Sequence, residues 1–109
     1  MASRFRVEWT EAASADFIDI IAFIRRDSPL NAAKVYQRIR KRANSLRRFP
    51  DRGHLVPELA ELDVTGYREI DIVPYRILYR IDKSKVFVLA VLDGRRDLRQ
   101  VLTQRMLRP

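Results

Sequence analysis

Cysteine is absent from this chain, so neither a disulfide framework nor thiol chemistry is open to it, a composition that suits a reducing cytoplasm. Histidine occurs once, at His54. A zinc cluster built from Cys and His therefore lacks ligands, and a nucleophilic triad has a single imidazole to draw on, in a Pro/Gly loop with no evident partner. The three glycines, Gly53, Gly66 and Gly94, stand singly at the expected element junctions, so there is no glycine-rich phosphate loop. No apolar run approaches the roughly 20 residues of a membrane span. The polar stretch 1–10 leads directly into a strand pattern, and no secretion signal is expected.

What remains is a basic, well-patterned chain. Its 109 residues are 47% hydrophobic and 33% charged, which leads us to expect one folded domain over 1–109. Lys and Arg number 22 against 14 Asp and Glu, a net charge of +8. A small domain this basic meets an acidic partner, nucleic acid or acidic protein, unless the charge simply solvates its surface. The charge is concentrated: residues 25–52 hold Arg25, Arg26, Lys34, Arg38, Arg40, Lys41, Arg42, Arg47, Arg48 and Arg52 against only Asp27 and Asp51.

The strongest pattern is residues 75–92. Tyr75, Ile77, Tyr79 and Ile81 alternate with Arg76, Leu78 and Arg80, which predicts a strand with one buried face. Residues 86–92 are apolar at every position and predict a central strand covered on both sides. Residues 4–9 alternate as a first strand ending in Trp9. Thr10 then caps a helix to about Arg26 with Ala13, Phe17, Ile20, Ile21 and Ile24 on one stripe. Ser28 and Pro29 start a second helix, to about Arg48, with Ala32, Val35, Tyr36, Ile39, Ala43, Leu46 and Phe49 inward. The short link makes the two helices an antiparallel hairpin. A loop holding Glu58, Glu61 and Asp63 follows, then a strand over 66–73, a break at Pro74, and after Gly94 a short helix headed by Asp97, with Leu98, Val101, Leu102 and Met106 as its stripe. The fold class is α+β: an N-terminal strand, a helical hairpin on a mostly antiparallel four-stranded sheet, and a short C-terminal helix.

The chemistry left open by these absences is arginine and tyrosine on a sheet. Arg68, Arg76, Arg80, Arg95 and Arg96, sharing one side with Tyr67 or Tyr75, would bind phosphate, stack bases, or stabilise a phosphorane by guanidinium charge. The competing reading pairs these arginines with Glu69, Asp71, Asp82 and Asp93 and leaves the tyrosines to the core. Asp16 and Asp19 read as a solvated acidic face.

Several stretches together resemble the RelE/ParE superfamily of type II toxin–antitoxin toxins. They are Arg48-Phe49-Pro50 to Gly53, Gly66-Tyr67-Arg68, Tyr75 to Ile81, and Val91-Leu92-Asp93-Gly94-Arg95-Arg96-Asp97-Leu98. The resemblance runs over almost the whole chain. It implies a cytoplasmic toxin of a plasmid-stabilisation module, held inactive by a cognate antitoxin that wraps the sheet and helical hairpin, with no cofactor and no metal. It leaves two targets: DNA gyrase, poisoned by binding, or mRNA on the ribosome, cleaved as an endoribonuclease. Arg76, Arg95, Arg96 and Arg68 match positions of the ribonuclease pattern. The second basic residue beside Arg68 falls at Ile70 or Asp71, and the tyrosine of the final helix falls near Leu102. That gap and the long hairpin resemble ParE-like members, so the expected activity is gyrase inhibition, with ribonuclease as the alternative. Arg76, Arg80, Arg95, Arg96 and Tyr75 are the expected binding residues, for target or antitoxin.

Overall fold

The computed structural model describes residues 4–106 of the chain, and of Met106 the backbone only, so the Met106 side chain expected on the last stripe lies outside the described residues. Strand β1 (Arg6–Trp9) leads into helix α1 (Glu11–Asp27) and helix α2 (Pro29–Asn44), which ends in a 3-10 turn at Ser45–Arg47. Then come β2 (His54–Leu55), a single helical turn α3 (Pro57–Ala60), β3 (Arg68–Ile72), β4 (Tyr75–Asp82), β5 (Lys85–Asp93) and α4 (Leu98–Met106).

Both helix starts follow from their caps. The Thr10 hydroxyl accepts from Ala13 N–H, and the Ser28 hydroxyl accepts from Asn31 N–H with Pro29 in the first turn. Ser28 N–H also closes the end of α1 on Ile24 C=O, so one residue ends a helix and starts the next. That leaves no slack, and the hairpin is antiparallel as expected.

The sheet has five strands in the order β1-β5-β4-β3-β2, not four. The extra strand is only His54 and Leu55, paired antiparallel with Glu69 and Arg68. Two residues are too few for alternation to show. β1 is parallel to β5 and all other pairs are antiparallel.

Each face of the sheet carries its own core. Ile70, Ile72, Ile77, Tyr79, Val86, Val88 and Val91 meet Ala13 and Phe17 of α1 and Val35, Ile39 and Leu46 of the α2 arm. On the other face Leu78, Ala90 and Leu92 meet Val56, Leu98 and Val101. A register shift between Leu78 and Tyr79 makes this possible: Leu78 pairs with Ala90 but Tyr79 with Val88, leaving Leu89 unopposed. The bulge turns Ala90 and Leu92 away from the side that Val86 and Val88 occupy.

The buried stripes are mostly as expected. Phe49 and Tyr36 are the exceptions, both exposed. The tighter turn after Asn44 carries Phe49 out of the stripe. Tyr36 stacks on Phe17 at 5.1 Å, which stacks on Trp9 at 5.3 Å, so it ends an aromatic row that runs from core to surface. Trp9 is the half-buried core residue expected at a strand end. Among the described residues, no helix is long and apolar enough to cross a membrane.

Candidate functional site

The five arginines expected to share one side do not. Arg68 pairs in register with Tyr79 on the helix-covered face, and its guanidinium donates to Gly53 C=O at 2.9 Å. Arg76 and Arg80 face the opposite way. Arg95 and Arg96 lie beyond the end of β5.

Arg76 is the most heavily engaged side chain of the set. Its Nε and Nη2 donate to both oxygens of Glu69 on β3, and Nη1 and Nη2 donate to Glu58 on α3 at 2.8 and 2.9 Å. The guanidinium is thus forked twice, onto two carboxylates. Glu69 is 2% exposed and Arg76 16%, so the pair is buried and Glu58 closes it from the solvent side. The hydrogen bonds from Arg76 hold the Glu58 carboxyl below its ordinary value, and the two carboxylates push the Arg76 value up. One cation between two anions leaves a net negative cluster, which repels phosphate. The acidic loop thus neutralises one sheet arginine through Glu58, while its Glu61 pairs with Arg99 of helix α4 instead.

Arg80 lies 3.8 Å from Asp82 and over the Phe87 ring at 4.8 Å. Arg95 is exposed but folded onto Asp93, with Nε and Nη2 at 3.0 and 2.6 Å from its carboxylate and its own N–H at 2.9 Å. These bonds depress the Asp93 carboxyl to about 2. Arg96 is exposed and has no ion pair among the described residues.

Tyr75, Arg95 and Arg96 come together at one wall of a groove of about 530 Å³. The facing wall is α1, with Ile20, Phe23 and Ile24 as its apolar residues and Asp16, Asp19 and Asp27 as its acidic ones. The groove exists because β1 covers β5 only as far as Val88. Past that point the free edge of β5 is sealed by side chains. Asp16 accepts from Val91 N–H at 3.0 Å, and Arg105 of α4 donates to Leu89 C=O at 2.9 Å and pairs with Asp16. Residue patterns did not foretell this clasp. The available signal was an aspartate one residue before Phe17 on a helix that must lie against a strand edge. Burial raises the Tyr75 hydroxyl above its ordinary value.

His54 Nε2 lies 3.3 Å from Asp71, and Nδ1 lies 3.0 Å from Leu55 C=O. Oxygens of Glu69 and Asp71 and a His54 nitrogen lie within 4.8 Å of one another. Glu69 is already committed to Arg76, so the three form an ion-pair network. The Leu55 carbonyl, and after it Asp71, raise the His54 value above 6.5. A raised value means that protonated His54 favours the fold. Its contribution is complete below the unfolded value and is lost as pH rises through the folded one. The imidazole C2 proton in an NMR titration is expected to report a midpoint above 6.5, and Asp71→Asn is expected to lower it.

Residues 7–98 match the sequence model of the ParE toxin of the type II toxin–antitoxin system parDE. The chain belongs to this family of toxins, within the RelE/ParE superfamily. Y4kP of Sinorhizobium fredii is 32% identical over 102 residues, 92% of this chain and 99% of that relative. Toxin RelE2 of Caulobacter vibrioides is 32% identical over 92 residues, 84% of this chain and 97% of the relative. Among solved structures, the chromosomal ParDE system of P. aeruginosa contains a chain with TM-score 0.66 at 22% identity, covering 82% of this chain and 95% of that one. The RelBE2 toxin–antitoxin complex of Mycobacterium tuberculosis contains one with TM-score 0.57 at 24% identity, covering 85% and 94%. These likenesses bear out the α+β reading of the ParE toxin fold.

Proposed function

We propose that this ParE-family toxin acts by binding and poisoning DNA gyrase in the cytoplasm, and that a cognate antitoxin neutralises it in a toxin–antitoxin hetero-oligomer. The observation that carries the target is the state of Arg76. An RNase of this superfamily, as the sequence pattern describes it, needs free guanidinium charge where a phosphorane develops. Here the matching guanidinium is enclosed by Glu58 and Glu69, Arg68 is turned to the other face, and Arg95 is closed on Asp93. What this arrangement offers is a surface for binding. Ile18, Phe23 and Leu30 of the hairpin are each about two-thirds exposed, apolar positions that a bound partner would cover. The groove between α1 and β5 is the seat we assign to the antitoxin, with Tyr75, Arg95 and Arg96 as one wall.

With gyrase, ATP and supercoiled plasmid, the purified toxin is expected to accumulate linear DNA after protein is stripped from the reaction. Equimolar antitoxin is expected to prevent it. The ribonuclease alternative is favoured by one feature, the exposed Arg96 beside Tyr75 at the groove mouth. Ribosome-dependent mRNA cleavage that disappears in a folded Arg96→Ala variant, with no linear DNA from gyrase, would replace the gyrase reading by that one.

A further inference from the structure

The basic charge of this chain is divided into two populations. Arg76, Arg80, Lys85, Arg95, Arg99 and Arg105 each stand within ion-pair distance of a carboxylate. All of them lie on or beside the sheet. Among the described residues, Lys34, Arg38, Lys41 and Arg42 of α2, and Arg52 just after it, stand in no ion pair. Unpaired cations also stand elsewhere among these residues, Arg6 on β1, Arg25 and Arg26 on α1, Lys83 in the β4–β5 turn and Arg96 beyond β5 among them, but α2 carries a close run of them with no acidic residue in the helix.

Lys34, Arg38 and Lys41 are all exposed and follow one another at spacings of four and three residues. They form one row along α2, and with a rise of 1.5 Å per residue the row is about 10 Å long. Its lower end runs into a cleft of about 540 Å³ between α2 and the end of β3. Arg38, Lys41, Arg42, Ser45 and Arg52 line it, with Asp71 as its one acidic residue. Asp71 is engaged by His54 at 3.3 Å. The guanidiniums of Arg42 and Arg52 are fixed by neutral oxygens. Arg42 donates to Asp71 C=O at 3.2 Å, and Arg52 donates to the Ser45 hydroxyl at 2.9 Å. Arg42 Nε is buried and has no hydrogen-bond partner. The cleft therefore holds two oriented guanidiniums outside any ion pair, flanked by the exposed cations of the row.

We infer that the α2 row and this cleft form a docking surface for the phosphodiester backbone of duplex nucleic acid. Three features favour phosphate over an acidic protein. The neighbours on the row, Gln37 and Ser45, are polar, and the apolar residues Ile72 and Val73 lie only at the far side of the cleft, on the β3 end, where five polar or cationic side chains of α2 and the following turn face them. Lys, Arg, Ser and Gln are the side chains that meet phosphate oxygens. One strand of a duplex offers a charge for about every 3.4 Å of axis, so a 10 Å row of three cations spans about three phosphates. The surface also lies apart from the groove assigned to the antitoxin. α1 packs over β5 and α2 over β3, on opposite sides of the central β4, so both can be occupied together. Contact of this type reads charge and spacing, and no base sequence is recognised.

The test is fluorescence anisotropy of short labelled DNA and RNA duplexes of mixed sequence, titrated with the full chain over a range of salt. The Lys34→Glu/Arg38→Glu/Lys41→Glu variant is compared with Arg4→Glu/Arg6→Glu/Lys83→Glu, which changes net charge equally at other exposed positions. All six side chains are exposed, and circular dichroism checks that both variants fold. The α2 variant is expected to lose at least about tenfold in affinity, and its log–log salt slope to fall by about 2.7, three contacts at about 0.9 each. The control is expected to keep most of both. Whichever duplex binds tighter identifies the source of the backbone. Equal losses in the two variants, no loss in the α2 variant, or competition by polyglutamate as effective as by duplex would each overturn the inference. Neither gyrase nor antitoxin is in the assay, so its outcome and that of the gyrase test are independent.

Discussion

Arg76→Ala is expected to destabilise the fold by about 3–5 kcal/mol, measured by urea or thermal unfolding, because it strands a charge rather than merely removing a contact. Glu69 is the one buried acidic residue of the described chain, 2% exposed, and Arg76 supplies two of its hydrogen bonds. Without the guanidinium the carboxylate stays in a low-dielectric site or takes up a proton to escape it. The same side chain ties α3 to the sheet through Glu58, so that turn is freed as well. Arg76→Lys keeps the charge but not the double fork, and is expected to recover only part of the loss. Removing both charges in Arg76→Leu/Glu69→Leu is expected to recover more than Arg76→Lys, since no buried ion is left unpaired. A loss in Arg76→Ala below about 1 kcal/mol, the size of an exposed pair, would mean that Glu69 is already neutral or hydrated.

The pH dependence has the opposite sign to that of His54. Glu58 has a depressed value in the folded state, so its contribution is present above the unfolded value and disappears as pH falls through the folded one. In Arg76→Ala this part of the acid limb is expected to flatten. The variant therefore distinguishes a structural arginine from a catalytic one: toxicity lost together with stability speaks for the fold, and Arg96, exposed and outside any ion pair among the described residues, is the position at which to look for chemistry.

What the residue pattern revealed, and what it did not, follows from the range of the interactions. Thr10, Ser28 and Pro29 act on groups within three residues of themselves, so the hairpin was legible to within a residue at its start. The alternation through Tyr75 to Ile81 carried one strand, and the unbroken apolar run after Lys85 correctly implied cover on both faces. Why both faces are covered was hidden. The unopposed Leu89 that redirects Ala90 and Leu92 is a matter of register, and no local signal marks it. The acids that capture the arginines were visible as composition, but which acid meets which arginine depends on strand pairing and on where α3 lands. For that reason the candidate set Arg68, Arg76, Arg80, Arg95 and Arg96 dissolved into separate places while each residue stayed near a carbonyl, carboxylate or groove wall. The clasp of Asp16 and Arg105 joins residues at opposite ends of the chain, beyond any spacing rule.

Gly53→Ala is expected to cost about 3 kcal/mol, at the upper end of what overpacking usually does. A Cβ on Gly53 would stand 2.5 Å from Glu69 C=O and 2.5 Å from the Tyr79 hydroxyl. Glu69 is held in β3 between β2 and β4 and cannot retreat without breaking the ladder. Tyr79 is fully buried, and its hydroxyl donates to Pro50 C=O at 2.7 Å while accepting from Gly53 N–H at 3.0 Å. One phenol thus fastens both ends of the loop that leads from the helices back to the sheet, and Arg68 holds the Gly53 carbonyl at 2.9 Å. Tyr79→Phe removes the phenol oxygen and leaves those two backbone groups unpaired, for a cost of about 1–3 kcal/mol. The double variant separates the two effects. With the hydroxyl gone the alanine methyl still meets Glu69 C=O and the ring carbon Cε1 at 2.9 Å but loses one of its two 2.5 Å clashes, so Gly53→Ala/Tyr79→Phe is expected to cost about 1 kcal/mol less than the sum of the singles. Strict additivity would mean that the glycine is needed for the approach of Glu69 C=O and the Tyr79 ring, and not for the hydroxyl. Either way the loss propagates along one path. A displaced Gly53 shifts His54 and Leu55, the strand they add to β3 loosens, and α3 no longer delivers Glu58 to Arg76.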